Sequence, residues 1–361
     1  MQHKNITLVI DNLGSGGAQR QLVLLALELS ALGHDITLLT YNENNHMGYM
    51  LESSSVKHVI IKSGSPTKLS KMIAVLRYLF AAQPKYLISY LDSPNIISAV
   101  YSLFSKNVTW LASERNLNTG TGAAALWRKL AFSVARKVIS NSHAQQAWLQ
   151  NSVKLPKSKV ITIWNGVHAD FFSASNEREN KPASAIKFLS LGRLSYQKHP
   201  ELLVDAIKQL KTLQGMEFDW FGSDDPDSPN KRTELQQNIT DLPLTVHQPT
   251  SGAHELLSKA DCLILTSRHE GTPNVVLEAM AAGVFVIVPS IVDLPIIIGD
   301  NERGIIFKAN CVNSLTSAIE SFASMNANDR IAVTKRASEF ARLNFSSAAL
   351  ATNYLELLNN E

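Results

Sequence analysis

Short runs rich in β-branched residues alternate with helical patterns along almost the whole chain. Seven runs predict strands in the first half: ITLVI (6–10), DITLLTY (35–41), VKHVII (56–61), KYLISYL (85–91), NVTWLAS (107–113), KVIS (137–140) and KVITIW (159–164). Six more follow: IKFLSL (186–191), EFDWF (217–221), LTVH (244–247), DCLILT (261–266), FVIVP (285–289) and GIIF (304–307). Such alternation is typical of parallel sheets with helical crossovers. It predicts an α/β fold.

The alternation is interrupted once, by the polar stretch SASNERENKPASA (173–185), which is typical of a linker. In the first crossover, Leu22, Leu25, Ala26 and Leu29 recur at helical spacing and predict one buried helix face. A chain of 361 residues also suits two domains better than one core. We expect two doubly wound Rossmann-like domains that face each other across a ligand cleft.

The charge is unevenly distributed between the two halves. Residues 1–180 carry 18 Lys and Arg against 10 Asp and Glu, a net charge of +8, whereas residues 181–361 carry 16 against 21, a net charge of −5. A basic half suits an anionic partner such as nucleic acid, phospholipid headgroups or a phosphorylated substrate, and a solvated surface is the alternative.

The cysteine content and the apolar runs indicate the compartment. Two cysteines, Cys262 and Cys311, are too few for a disulfide framework, which favours a reducing compartment. The apolar run near the N-terminus is too short for a signal peptide, and the run at 284–298 is interrupted by prolines and an aspartate. We expect a cytoplasmic protein without a membrane span.

Two segments that follow predicted strands are candidate anion sites. In NLGSGGAQR (12–20), the amides of Gly16 and Gly17 can approach an anion at a helix N-terminus, although a tight turn is the alternative and the segment does not match a dinucleotide fingerprint. In LGRLSYQKHP (191–200), Arg193 and Lys198 are two cations that suit a diphosphate, with solvated loop charges as the alternative.

The segment HEGTPNVVLEAMAAG (269–283) places two carboxylates around a predicted helix start. We expect Thr272 to cap a helix whose first residue is Pro273, so that free amides there form a second anion or hydroxyl site. Glu278 lies six residues after that cap, about 9 Å along the axis, among apolar residues. A buried carboxylate requires donors. Sugar hydroxyls would serve, as would an arginine or backbone amides of the protein.

These segments together carry a resemblance to a known family. EGTPNVVLEAMAAG resembles the Glu-x7-Glu signature of retaining glycosyltransferases with the GT-B fold, in particular the large fourth sequence family. GRLSYQK and GGAQR resemble two further landmarks of that family, and SNSHA (140–144) and WNGV (164–167) lie between them. The resemblance covers essentially the whole chain. It implies an acceptor-side domain at 1–175, a donor-binding domain at 176–344, and a last helix at about 345–361 that packs back on the first domain.

The resemblance also implies residue roles. Glu278 would hold the nucleotide ribose, Glu270 would hold hydroxyls of the transferred sugar, and Arg193 with Lys198 would bind the diphosphate. The implied donor site comprises Gly16, Gly17, Gly192, Arg193, Lys198, Gly222, Gln248, Glu270, Gly271, Thr272, Pro273, Asn274, Val275 and Glu278. The implied catalytic set is Glu270, Arg193, Lys198 and Glu114.

Two segments depart from the family pattern. Many members have a histidine at the position where this chain has Ser113-Glu114-Arg115. In having this segment instead, the chain resembles a subset of the family that builds surface polysaccharides. Glu114 is therefore the acceptor-side candidate, with a salt bridge to Arg115 as the alternative. A Gly-Gly-x-Pro-Glu segment is replaced by SIVDLPII (290–297), which leaves the choice of sugar open.

Two further patterns bear on metals and membranes. The acidic loop Asp224–Asp227 is flanked by Ser and Pro and favours a solvated turn over a metal site, so we expect neither a metal nor a cofactor. LWRKLAFSVARK (126–137) mixes apolar residues with four cations, as interfacial helices do, and an ordinary amphipathic helix is the alternative.

The combined prediction is a metal-independent retaining hexosyltransferase in surface polysaccharide assembly, such as that of lipopolysaccharide O antigen. Its donor would be a UDP-hexose or UDP-N-acetylhexosamine, and its acceptor a glycan on polyprenyl diphosphate, with contact to an anionic membrane through the first domain and none to nucleic acid. The alternatives are a nucleotide-sugar epimerase of similar fold and a catalytically silent sugar- or lipid-binding scaffold.

Overall fold

The computed structural model describes residues 3–115, 123–173, 185–250 and 252–359. The predicted linker at 173–185 lies almost entirely outside these ranges. The chain divides into two compact units, one formed by Met1–Gly166 with Ser347–Glu361 and the other by Val167–Ser346. All thirteen predicted strands are present, and their ends lie within two residues of the predicted ones.

The described part of the first unit contains a seven-stranded parallel sheet with the order β3-β2-β1-β4-β5-β6-β7. Its strands are β1 Asn5–Val9, β2 Asp35–Thr40, β3 Lys57–Ile60, β4 Tyr86–Tyr90, β5 Thr109–Glu114, β6 Lys137–Ser140 and β7 Val160–Thr162. Its helices are α1 Gly17–Ala31, α2 Lys68–Ala82, α3 Asp92–Phe104, α4 Ala123–Ser133, α5 His143–Asn151 and α14 Ser347–Asn359. Every residue of β4 is buried, as expected for a parallel strand covered on both faces.

Helices cover both faces of this sheet. Successive residues of a strand point to opposite faces, and accordingly Leu8 belongs to the core formed with α1 and α14, whereas Val9 belongs to the core formed with α2 to α5. The predicted face of α1 is confirmed, because Leu22, Leu25, Ala26 and Leu29 are all fully buried.

The last helix, α14, completes the core of the first unit. Leu350, Tyr354 and Leu355 pack in the same cluster as α1, and the hydroxyl of Tyr354 lies 2.9 Å from that of Tyr90 on β4. At the start of the helix, Ser347 donates to Glu28 of α1. Residues separated by almost the whole chain therefore share one core.

The described part of the second unit contains a six-stranded parallel sheet with the order β10-β9-β8-β11-β12-β13. Its strands are β8 Ile186–Leu191, β9 Met216–Phe221, β10 Leu244–His247, β11 Cys262–Ile264, β12 Phe285–Pro289 and β13 Ile305–Phe307. Its helices are α6 Asp170–Ser173, α7 Pro200–Lys208, α8 Lys231–Asn238, α9 Ala253–Lys259, α10 Asn274–Ala281, α11 Leu294–Ile298, α12 Val312–Ser324 and α13 Ala327–Phe345. No helix in the described ranges combines the length and the apolar character needed to cross a membrane.

Candidate functional site

The candidate site lies at the carboxyl ends of β8 and β11 in the second unit. These strands are parallel neighbours, so the loops that follow them emerge at the same sheet edge. The 192–199 loop leads from β8 to α7, and the 265–273 loop leads from β11 to α10. Doubly wound sheets bind ligands at this edge.

Glu270 is the centre of the contacts between these loops. Its Oε1 accepts from Lys198 Nζ at 2.6 Å and from Ser267 Oγ at 2.6 Å, while its Oε2 lies 3.5 Å from Gln197 Nε2. Glu270 is 8 % exposed, and the Lys198 side chain is 20 % exposed. The lysine is a point charge on a flexible stem. It can therefore turn from Glu270 towards an anionic ligand.

Gly192 and Gly222 let the main chain after β8 and the main chain after β9 pack closely together next to Lys198. A Cβ on Gly222 would lie 1.9 Å from the carbonyl oxygen of Gly192, so no side chain fits there. A Cβ on Gly192 would lie 3.1 Å from Cδ of Lys198. Arg193 follows Gly192 and is exposed. Arg193 and Lys198, the two predicted cations, thus belong to one short loop whose first residue, Gly192, packs closely against Gly222.

The helix start that follows Glu270 differs from the prediction. Thr272 is not the N-cap, and Pro273 is not the first helical residue: α10 begins at Asn274, and Pro273 is the N-cap residue without a side-chain cap. The proline ring fixes φ alone, and the observed ψ of 96° is extended rather than helical. Glu278 is buried on α10, as predicted for a carboxylate among apolar residues.

The ends of β9 and β10 form the region assigned to the nucleotide base. Arg232 donates to the carbonyl oxygens of Gly222 at 2.5 Å and His247 at 3.0 Å, and to Asp224 Oδ1 at 3.0 Å. The His247 ring stacks on Phe221 with centroids 4.2 Å apart. Thus Arg232, which the sequence did not indicate, holds both strand ends together.

The acidic loop at 224–227 is a turn. Asp224 pairs with Arg232, and Asp225 forms an antiparallel bridge with Ser228. In the described ranges, no three His, Cys, Asp or Glu side chains are grouped so that they could hold a metal ion.

The glycine-rich turn lies in the first unit. Gly16 is the N-cap of α1 and Gly17 its first residue, and both are exposed. A Cβ on Gly16 would lie 2.3 Å from Oε1 of Gln19, so the side chain of Gln19 occupies that space.

Glu114 also lies in the first unit, at the end of β5, and is fully buried. Its Oε2 accepts from Arg128 Nε at 2.9 Å, and Nη2 of the same arginine lies 2.7 Å from Asp92 Oδ1. The predicted alternative, a salt bridge with Arg115, is wrong. Arg115 instead donates to the side chains of Ser113, Asn165, Tyr90 and Tyr354. Arg115 is the first residue after β5, and these four partners hold its side chain away from a pairing with Glu114.

The second unit brings together most of the predicted residues at one sheet edge. These are Gly192, Arg193, Lys198, Gly222, Gln248, Glu270, Gly271, Thr272, Pro273, Asn274, Val275 and Glu278. Gly16, Gly17 and Glu114 belong to the other unit. Ser267 and Gln197 were missed, since no spacing or composition marks a serine or glutamine as a partner of Glu270.

Family models and known proteins agree with this architecture. A model described as Glycosyltransferase Family 4 matches residues 15–171, and one described as Glycosyl transferases group 1 matches residues 172–340. The chain is 27 % identical over 295 residues to a Campylobacter jejuni α-1,4-N-acetyl-D-galactosaminyltransferase, named for an acceptor on diphospho-undecaprenol, with 76 % of each chain covered. It is 24 % identical over 288 residues to the amylovoran biosynthesis glycosyltransferase AmsD of Erwinia amylovora, covering 76 % of this chain and 77 % of that one.

Solved structures share the fold over the whole chain. A glycosyltransferase from Rickettsia africae superimposes with a TM-score of 0.86 at 19 % identity, with 100 % of each chain covered. HepE of Anabaena, solved in complex with UDP and glucose, superimposes with a TM-score of 0.83 at 17 % identity, covering 99 % of this chain and 100 % of that one. With its family 4 domain followed by a group 1 domain, the chain is a glycosyltransferase of the GT-B fold.

Proposed function

We propose that the protein is a retaining glycosyltransferase that uses a UDP-hexose or UDP-N-acetylhexosamine and extends a glycan carried on polyprenyl diphosphate. The observation that carries this proposal is the bond from Lys198 to Glu270, because it joins the cation proposed to bind the diphosphate to the carboxylate proposed to bind the sugar. The Campylobacter jejuni relative is named for a lipid-linked acceptor, and the Anabaena structure contains UDP.

The donor would lie along the sheet edge of the second unit. Arg193 and Lys198 bind the diphosphate, and Glu270 with the backbone of residues 271–275 binds hydroxyls of the sugar. Glu278 binds the ribose. The base lies by Gly222 and Gln248, next to the stacked rings of Phe221 and His247.

The reaction would need no side-chain nucleophile. The bond between the anomeric carbon and the diphosphate oxygen breaks, while the acceptor hydroxyl oxygen bonds to that carbon on the same face. The acceptor proton passes to a donor phosphate oxygen. Lys198 and Arg193 offset the charge that develops on the leaving diphosphate, a role that is stronger in the transition state than in the ground state.

The acceptor would bind to the first unit. Glu114 and its partner Arg128 lie at the carboxyl end of β5, where doubly wound sheets bind ligands. On α4, which also carries Arg128, Leu126, Trp127 and Leu130 are 59 %, 47 % and 59 % exposed. An apolar helix face in a basic half suits contact with an anionic membrane that holds the acceptor.

Calorimetry with a panel of UDP-, GDP- and ADP-sugars tests the donor assignment. Glu278→Gln should weaken binding of the preferred donor by about tenfold or more, since a hydrogen bond to a charged group contributes about 1.5–3 kcal/mol. Glu270→Gln should mainly lower turnover. Glu217→Gln, an exposed carboxylate on β9 paired with Lys187, is the matched control. The reverse pattern for the two variants, or no binding of any donor, would contradict the assignment.

A further inference from the structure

Arg268 lies two residues before Glu270, yet its side chain packs against the other loop of the site. Its Nη2 lies 2.6 Å from Nε2 of His199, and its guanidinium carbon lies 4.4 Å from the ring centroid of Tyr196. Its backbone amide donates to the carbonyl oxygen of Gln197 at 2.8 Å. Arg268 therefore contacts residues on both sides of Lys198.

Other bonds between the loops surround the same lysine. Thr266 Oγ1 donates to the carbonyl oxygen of Lys198 at 2.7 Å, and Gln197 Nε2 donates to the carbonyl oxygen of His269 at 3.0 Å. These contacts fix the main chain around Lys198 to the 265–273 loop, and the bond to Glu270 holds the Lys198 ammonium at the same place. The ammonium is left free to exchange Glu270 for a ligand.

The backbone at His199 needs such support. His199 has a φ of 52°, in the left-handed region, which is unfavourable for a residue with a Cβ. It also precedes Pro200, and a proline restricts the conformation of the residue before it. An unfavourable backbone conformation persists where the surrounding contacts determine it, and the bond to Arg268 is one of these contacts.

The geometry points to Arg268 as a positioning residue that holds Lys198 in place through His199, Tyr196 and the backbone of Gln197. This inference rests on the proposed role of Lys198 at the diphosphate. Arg268 has only donors, so His199 Nε2 must be unprotonated to accept. Protonation of His199 therefore removes the bond and loosens the loop that carries Lys198.

The charges around His199 favour its neutral form. Burial and the Arg268 guanidinium lower the pKa of His199 below its usual value, and they outweigh Glu201 and Asp205 of α7 and the nearby Asn310 side chain, which act in the opposite direction. The folded protein thus keeps His199 neutral at pH 7. We expect the bond to be lost only as the pH falls below about 6.5, the ordinary histidine pKa.

Arg268→Gln should lower kcat about ten- to a hundredfold, as small misplacements of catalytic groups do, while the donor KM changes little. Arg336→Gln, an exposed arginine on α13 that donates to the carbonyl oxygen of Glu302, is the matched control and should keep wild-type kinetics. In a Lys198→Ala background, Arg268→Gln should cost almost nothing more, because the two residues act as one unit. A full additional loss there would overturn the inference.

His199→Gln supplies a test that does not depend on removing the arginine. The inference predicts that kcat of the wild type falls as His199 is protonated in acid. The amide oxygen of the variant can still accept from Arg268 but does not titrate, so the variant should keep activity at pH 7.5 and should not show this fall. If kcat of the variant falls in acid as much as that of the wild type, a group other than His199 controls the fall. If Lys198→Ala itself has no effect, the proposed function fails; if it has a large effect and Arg268→Gln has none, only the positioning role fails.

Discussion

Two candidate carboxylates, Glu270 in the loop after β11 and Glu114 at the end of β5, are held in different ways. Glu270 is bonded to Lys198, a flexible and partly exposed loop residue, and to the Ser267 hydroxyl. Glu114 is fully buried and bonded to Arg128, whose planar guanidinium also reaches Asp92 and whose side chain is 12 % exposed. A lysine in a loop can exchange its partner for a ligand, whereas an arginine on a helix that bridges two carboxylates fixes the helix. The first arrangement lets Lys198 exchange Glu270 for a ligand, and the second fixes α4 at the end of β5, beside the proposed acceptor site.

The largest expected effect is that of Lys198→Ala on turnover. Removal of one preorganised donor to a developing negative charge costs about 10² to 10³ in kcat. Transfer from the preferred donor, measured by release of the nucleoside diphosphate, checks this. Lys187→Ala, at the start of β8 and half-exposed, should leave turnover unchanged. A loss below tenfold for Lys198→Ala would show that this lysine does not act on the leaving group.

A smaller effect, on stability, is expected for Glu114→Gln. Because the change leaves the Arg128 charge without its buried partner, the free energy of unfolding should fall by about 3 kcal/mol. Denaturation by urea measures it. Glu270→Gln should cost less than Glu114→Gln, since the Lys198 ammonium is partly exposed and can hydrate. A Glu114→Gln protein of unchanged stability but low turnover would place Glu114 among the residues that contact the acceptor.

The smallest effect is expected for Asp92→Asn. Asp92 is the second partner of Arg128, but its side chain is 55 % exposed, and pairs with exposed partners contribute about 0–1 kcal/mol. The same urea experiment should therefore show a loss of less than about 1 kcal/mol. A loss equal to that of Glu114→Gln would mean that Asp92 and Glu114 anchor α4 equally. The difference between Glu114 and Glu270 would then lie only in how deeply their partners are buried.

Local patterns predicted the fold well because the periodicity of apolar residues directly reflects which faces are buried. The face of α1 formed by Leu22, Leu25, Ala26 and Leu29 is an example. The start of α10 was misplaced by one residue because ψ of Pro273 depends on packing, which sequence does not display.

The partners of the site residues could not be predicted in the same way. Glu270 and Lys198 were both candidates from the resemblance, but their contact joins residues 72 positions apart. Arg128 and Arg268 carry no sequence signal that separates them from solvated arginines, because their roles arise from what lies opposite them after folding. For Glu114 the alternative of a salt bridge with Arg115 was wrong, because the observed partner, Arg128, lies fourteen residues further along the chain on α4.

The position of α14 in the core of the first unit has a consequence for synthesis of the chain. Domains generally fold as units, the N-terminal one first, while the ribosome is still adding residues. Here the first unit lacks Leu350, Tyr354 and Leu355 until the second unit has been translated in full. The apolar surface of α1 and its neighbours that α14 covers in the finished protein therefore stays exposed to solvent until α14 has been translated. The core of the first unit is therefore complete only after α14 has been translated.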